Sequence, residues 1–152
     1  MTNYTARDVA TSLRATSRYK KVLVFKGHVH PVLPLQGSTF KTGKHGSGKT
    51  RFLLKDFFTG EALSVILDSD EKFTEMEDHP GYKTCLGVIT EVGRDSVTVT
   101  NQSYEKIRVP EENREVLKKC EESDYLTFVE FSNQGTVSYK IKSIQDVLLD
   151  HL

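Results

Sequence analysis

Residues 38–51 carry the sequence Ser38-Thr39-Phe40-Lys41-Thr42-Gly43-Lys44-His45-Gly46-Ser47-Gly48-Lys49-Thr50-Arg51. The stretch contains three glycines, four Lys or Arg residues, one histidine and no acid, and its only large apolar side chain is Phe40. Because it has so little apolar surface to bury, we expect an exposed loop over residues 37–50. A connection of that length inside a compact domain is usually functional.

One interpretation of this stretch is a phosphate-binding P-loop. Residues 43–50 fit the pattern Gly-x-x-x-x-Gly-Lys-Ser/Thr, and residues 64–68 imitate a Walker B strand. A P-loop lies between a buried strand and the start of a helix, and its backbone amides surround the phosphates. No buried strand leads into Gly43, and residues 51–67 favour two strands around a turn at Thr59-Gly60. The context therefore disfavours a P-loop, and nucleotide binding is the alternative function.

The other interpretation is a loop that presents Lys44. The run Lys41-Thr42-Gly43-Lys44-His45-Gly46, followed by Phe57-Phe58-Thr59-Gly60-Glu61, resembles the signature of the hypusine-containing translation initiation factor 5A family, homologous to bacterial elongation factor P. The resemblance covers residues 15–144 and is strong over residues 41–60. The chain departs from the eukaryotic pattern at Phe40, where serine is usual, and at Ser47-Gly48-Lys49, where His-Ala-Lys is usual.

The resemblance implies a modification and a function. Lys44 would be converted to hypusine by deoxyhypusine synthase, which transfers an aminobutyl group from spermidine, and then by deoxyhypusine hydroxylase. The chain would bind the ribosome and its rRNA and stabilise P-site peptidyl-tRNA. It would promote peptide-bond formation at stalling sequences such as polyproline during elongation, and termination is a further candidate role. No cofactor other than this modification is implied. The sequence shows no hydrolytic constellation, so we expect a protein that is not an enzyme.

The predicted site is a loop that binds RNA and tRNA. Gly43 and Gly46 leave a slim backbone around Lys44, so that this lysine can stand out at the tip. The other cations are assigned to phosphate contacts and His45 to shaping the loop, with a solvated surface side chain as the alternative for each cation. The predicted site residues are Lys41, Thr42, Gly43, Lys44, His45, Gly46, Lys49 and Arg51.

Charge is unevenly distributed along the chain, although the net charge is zero. Residues 1–55 hold eleven Lys or Arg and one acid. The remaining 97 residues hold ten Lys or Arg and twenty acids. A basic segment of this strength favours a polyanion such as RNA; the alternative is a solvated surface. The sequence shows no apolar run of membrane-spanning length and no signal peptide, so we expect a cytoplasmic protein that is not associated with a membrane. The two cysteines do not form a CxxC pair, and we expect them to be reduced. A weak homodimer is compatible with the sequence.

The chain is expected to be mainly β, with two barrels. Residues 1–16 are expected to be a flexible or weakly helical extension, and Thr5-Ala6-Arg7-Asp8 matches a capping box ahead of residues 9–13. Short strands with tight turns over residues 17–83 suit an SH3-like barrel, which the resemblance also implies, with the lysine-presenting loop at 37–51. The acidic residues 68–83 are interpreted as a linker.

Residues 84–152 are expected to form an OB-fold barrel with one helix. Three strands, a helix over residues 111–120 and two further strands follow the element order of that fold. A short closing helix is expected over residues 143–152. This half holds eight Lys or Arg against twelve acids, so we expect weaker RNA contact here than in the first half.

His28 and His30 are two residues apart and would share one face of a strand. No third candidate ligand is spaced near them in the sequence. We therefore expect structural histidines and no metal site.

Overall fold

The computed structural model describes residues 3–15, 21–41 and 48–145. The chain divides into two compact units, Met1–Pro80 and Gly81–Leu152. The division falls slightly before the predicted boundary at residues 83/84, because residues 82–92 form one continuous strand of the second unit. Both units are built from antiparallel strands, so the prediction of a mainly β chain is confirmed. In the part of the chain that the structure describes, no helix is both long and apolar enough to cross a bilayer.

The elements of the first unit in chain order are β1 (Asn3–Thr5), α1 (Ala6–Ala15), β2 (Leu23–Phe25), β3 (Val32–Lys41), β4 (Gly48–Asp56), β5 (Ala62–Asp68) and β6 (Lys72–Glu75). The strands form a six-stranded antiparallel sheet with the order β1-β6-β2-β3-β4-β5. A short 3-10 helix, Met76–Asp78, follows β6.

Residues 3–15 form a strand and a helix that pack on the first unit, whereas the sequence predicted a flexible or weakly helical extension over residues 1–16. Strand β1 pairs with β6, and α1 begins at the predicted capping box: the Thr5 hydroxyl accepts from the Asp8 amide (3.2 Å), and the Asp8 carboxylate accepts from the Thr5 amide (3.1 Å). Ala6, Val9 and Ala10 share one helix face and are at most 1% exposed. Small side chains on that face let the helix lie close to the sheet.

Strand β6 lies inside the segment that was interpreted as a linker. It pairs with both β1 and β2, and Phe73 is fully buried in the core of the first unit. The Phe73 ring lies 5.2 Å from the ring of Phe25 and 5.6 Å from that of Phe52. One large aromatic side chain among polar residues is therefore enough to insert this segment into the sheet.

The elements of the second unit are β7 (Tyr82–Val92), β8 (Ser96–Asn101), β9 (Lys106–Pro110), α2 (Arg114–Lys118), β10 (Tyr125–Asn133) and β11 (Thr136–Gln145). The strands form a five-stranded antiparallel sheet with the order β11-β10-β7-β8-β9. Edge strands β9 and β11 also contact each other, so the sheet curls toward a barrel. Its core includes Ile89, Val99, Leu126 and Phe128.

Two helix predictions in this unit need correction. Helix α2 begins later than the predicted residue 111, because the side chain of Asn113 caps it by accepting from the Glu115 amide (2.9 Å), and it ends at Lys118, before the predicted residue 120. Ser143 and Ile144 belong to β11, which pairs with β10, and not to a closing helix. The rest of that predicted helix, residues 146–152, lies outside the described residues.

Candidate nucleic-acid interface

The predicted loop is largely a hairpin of two paired strands. Strands β3 and β4 are antiparallel partners up to Lys41 and Gly48, so residues 37–41 and 48–51 are strand and not loop. The side chains of these segments are mostly polar, so backbone hydrogen bonds hold the two strands in place. Strand β4 is hydrogen-bonded to β3 on one side and to β5 on the other. Thr42, Gly43, Lys44, His45 and Gly46 lie outside the described residues. The position of Lys44 at a tip therefore stays a prediction.

One face of the hairpin combines cations with an aromatic ring. Phe40 is the register partner of Lys49, and Ser38 is the partner of Arg51, so these side chains share one face of the sheet. The Arg51 guanidinium lies over the Phe40 ring, 5.5 Å from its centroid. This cation–π contact holds the exposed Arg51 side chain on a face of the sheet where a phosphate or a base can reach it.

Lys49 has an acidic partner that the sequence analysis did not identify. Register pairing places it opposite Asp68 on β5, and its ammonium group forms a salt bridge with the Asp68 carboxylate. Both side chains are more than one third exposed. An exposed pair of this kind contributes little to stability, so a phosphate can compete with Asp68 for Lys49.

The opposite face of the hairpin receives a cation from helix α1. The Arg14 guanidinium donates a hydrogen bond to the Thr39 hydroxyl (3.5 Å). Lys41, two residues further along β3, lies on the same face as Thr39 and is exposed. Because residues 1–16 were predicted to be a flexible or weakly helical extension, Arg14 was not among the predicted site residues. The capping box ahead of α1 was the signal that could have placed it on an ordered helix.

The structure rules out the P-loop interpretation. Gly48, Lys49 and Thr50 form the start of strand β4, where a P-loop requires the start of a helix. The Thr50 hydroxyl is fully buried and lies 2.9 Å from the hydroxyl of Ser69, so it cannot reach a magnesium ion on a nucleotide. Strand β5, which imitates a Walker B strand, is antiparallel to β4. Nucleotide binding by residues 43–50 was a wrong alternative.

A second polar cluster lies at the other end of β4. The Asp56 carboxylate is 4% exposed, and its Oδ2 atom lies 2.7 Å from His28 Nε2 and 2.9 Å from His30 Nδ1. Its Oδ1 atom accepts from the amides of Phe58 and Thr59, both at 2.8 Å. Burial raises the pKa of Asp56, but these amides and the two histidines outweigh burial and lower the pKa to about 2.

Asp56 is the third partner that the sequence analysis did not find near the histidines. Spacing along the chain could not reveal it, because the pairing of β3 with β4 brings Asp56 beside them.

Two solved structures have the same fold as this chain. "Eukaryotic translation initiation factor 5A from Methanococcus jannaschii" is 17% identical, with a TM-score of 0.58 over 94% of this chain and 93% of that chain. "Translation initiation factor eif-5a family protein from Naegleria fowleri ATCC 30863" is 16% identical, with a TM-score of 0.55 over 95% and 97%. No protein-family model and no curated protein matches the sequence. At this level of identity the likeness is one of fold, and it confirms the predicted architecture of an SH3-like barrel followed by an OB-fold barrel.

Proposed function

We propose that this chain is a translation factor that binds the ribosome and uses a hypusine-modified Lys44 to stabilise P-site peptidyl-tRNA. One observation carries the proposal: the Thr-Gly-Lys-His-Gly run connects the paired strands β3 and β4 in a chain with the fold of translation initiation factor 5A. The sequence motif and the fold are independent observations. Together they support this function over that of a general RNA-binding protein.

The hairpin suits a role in which a narrow element reaches into an RNA-lined channel. Strand β4 runs nine residues from Gly48 to Asp56, which at ~3.3 Å per residue is a rise of about 26 Å. Positive charge lies on both faces of the hairpin in the half near Lys41 and Gly48. One face carries Arg51 and Lys49, and the other carries Lys41 and receives Arg14 from helix α1. Cations in this arrangement neutralise phosphates without reading sequence. They would hold the hairpin in position, and Lys44 would act at its end.

The modification explains why one lysine matters more than its neighbours. Hypusine is longer than lysine and carries a second amine, so it offers donors at two positions along one arm. Within a few Å of phosphates and ribose hydroxyls such an arm is little screened, because the Debye length is about 8–10 Å at physiological salt. It would hold the end of the peptidyl-tRNA in a reactive orientation. Catalysis of peptide-bond formation remains with the ribosome, so the chain itself would not be an enzyme.

The proposal includes the partners that the modification needs. Deoxyhypusine synthase and deoxyhypusine hydroxylase would act on Lys44 in the cytoplasm, where the chain also meets rRNA and tRNA. Both enzymes must accept the connection between Lys41 and Gly48 into an active site. The glycines on either side of Lys44 support this access because they keep the backbone slim.

Two measurements test the proposal. The mass of the peptide that contains Lys44, from protein purified from its native cells, should increase by an aminobutyl group, with or without one oxygen. In reconstituted translation, modified protein should raise the yield of a polyproline reporter over that of a matched reporter without prolines. An unmodified Lys44 at full occupancy, or equal effects on both reporters, would contradict the proposal.

A further inference from the structure

Two imidazole rings and one carboxylate meet at the end of β4 that is remote from Gly48. We propose that His28, His30 and Asp56 form a binding site for a divalent transition-metal ion, with Zn²⁺ as the preferred ion. One donor atom from each residue lies within 4.8 Å of the other two. Two imidazole nitrogens and one carboxylate oxygen are the donor set of zinc sites that keep a fourth position open. The proposal does not depend on the function proposed for Lys44.

Sheet register preforms the site. Val32 on β3 is the partner of Asp56 on β4, so the residues that precede β3 lie alongside the turn that follows β4. The amide of Phe57 donates to the carbonyl of Pro31 (2.9 Å) and continues this pairing beyond the strands. His28 and His30 are thereby held against Asp56 by backbone contacts that do not require a metal ion.

The two oxygens of Asp56 have separate partners. Oδ1 accepts from the amides of Phe58 and Thr59, whereas Oδ2 faces both imidazoles. Hydrogen bonds to the non-ligating oxygen are the usual way in which proteins orient a metal-binding carboxylate. Oδ2 is therefore the oxygen available to an ion. Because the Asp56 side chain is buried, water does not readily take the place of an ion at this oxygen.

The imidazole rings are also held in place. The ring of His28 stacks on that of Phe25, with centroids 6.4 Å apart, and the ring of His30 lies 5.3 Å from that of Phe58. Ordered rings reduce the entropy that metal binding would otherwise cost. The side chains of His28 and His30 are 26% and 18% exposed, so an ion can enter from solvent and bind a water molecule at the fourth position.

The two distances between the carboxylate and the imidazoles are close to those of a zinc site. Zinc–ligand distances of ~2.0–2.1 Å in a tetrahedron correspond to about 3.3 Å between donor atoms. The observed distances from Asp56 Oδ2, 2.7 and 2.9 Å, are those of hydrogen bonds, so the donors would separate by roughly 0.5 Å. An ionised carboxylate only accepts, so each imidazole directs an N–H at it. A ring nitrogen must give up that proton before it can bind an ion.

The test measures zinc binding by the full chain. Protein freed of metal with EDTA is titrated with ZnCl₂ against a chromogenic zinc chelator, and bound zinc is counted after gel filtration. We expect one equivalent of bound zinc. Co²⁺ added to the metal-free chain should give a visible spectrum of nitrogen and oxygen ligands that Zn²⁺ then removes, and Mg²⁺, which prefers all-oxygen sites, should show no comparable binding. The variants are His28→Gln, His30→Gln and Asp56→Asn. Matched controls are His79→Gln, a histidine elsewhere in the first unit, and His45→Gln in the Lys44 motif.

The three ligand variants should each weaken zinc binding by more than the 10–100-fold that loss of an outer-sphere partner typically costs. Both controls should bind as the parent chain does. Asp56→Asn keeps an acceptor for the turn amides, and circular dichroism confirms that each variant is folded. Absence of zinc binding by the parent chain would overturn the proposal. So would zinc binding that survives His28→Gln and Asp56→Asn, or that is lost only with His45→Gln. None of these results depends on whether Lys44 is modified.

Discussion

Val32 and Asp56 are register partners at one end of the β3–β4 hairpin, and Lys41 and Gly48 are partners at the other. The same two strands therefore support a histidine–carboxylate cluster at one end and the Lys44 motif at the other. A variant at one end can serve as a control for the other.

Lys44→Ala should abolish stimulation of polyproline synthesis, because no modified side chain remains to contact the tRNA. Lys44→Arg should also be inactive, since arginine keeps the charge but cannot become hypusine. Reconstituted translation measures both. Lys55→Ala, an exposed lysine near the Asp56 end of β4, is the matched control and should behave as the parent chain does. Equal loss in the control would contradict a specific role of Lys44.

Arg51→Ala should weaken ribosome binding and reduce its salt dependence, because a phosphate contact and its released counterion are lost. The slope of log K against log salt should fall by about 0.7–0.9 for one contact. Binding of labelled protein to ribosomes at several salt concentrations measures the slope. Phe40→Leu tests whether the ring positions the guanidinium: affinity should fall while the slope stays the same. An unchanged slope for Arg51→Ala would show that this side chain remains solvated.

Asp68→Asn separates structure from binding at Lys49. Loss of the exposed salt bridge should change the free energy of unfolding by no more than about 1 kcal/mol. Ribosome binding should become tighter, because Lys49 no longer has a competing carboxylate. Urea unfolding and the same ribosome-binding measurement check the two parts. Weaker binding would indicate that the salt bridge orients Lys49 and does not compete with RNA.

Val9→Ala should reduce the free energy of unfolding by about 1–2 kcal/mol, because Val9 is 1% exposed in the core of the first unit. Urea unfolding monitored by circular dichroism measures the change. Ser12→Ala, on the exposed face of the same helix, is the control and should be close to neutral. A neutral Val9→Ala would restore the view of residues 1–16 as a flexible extension.

Alkylation should distinguish the two cysteines. Burial raises the pKa of both the Cys85 and Cys120 thiols, which lowers the thiolate fraction at pH 8. Cys120 is 6% exposed and its thiol donates to the carbonyl of Val116 (3.4 Å), so it should react last. Timed labelling with iodoacetamide and peptide mass spectrometry gives the order. In urea both should react at the rate of a free cysteine, and faster labelling of native Cys120 would contradict its burial.

Much of the architecture was predictable because it depends on neighbours along the chain. Short strands on either side of a turn at Thr59-Gly60 are one example, and Gly60 has a positive φ that glycine adopts readily in such a turn. The capping box at Thr5 and Asp8 also depends on residues within one helical turn. These features depend on residues that are close together in the chain, so they can be predicted without knowledge of the fold.

The sequence alone established a β-rich chain of two units with a basic, glycine-rich connection that carries the Lys44 motif. Only the tertiary structure decided that α1 packs against the sheet, that Phe73 draws β6 into it, and that residues 37–41 and 48–51 are paired strands. The tertiary structure also decided that His28 and His30 contact Asp56. The reason is physical: burial and strand register join residues that are far apart in the chain, and composition near a residue does not specify its distant partner.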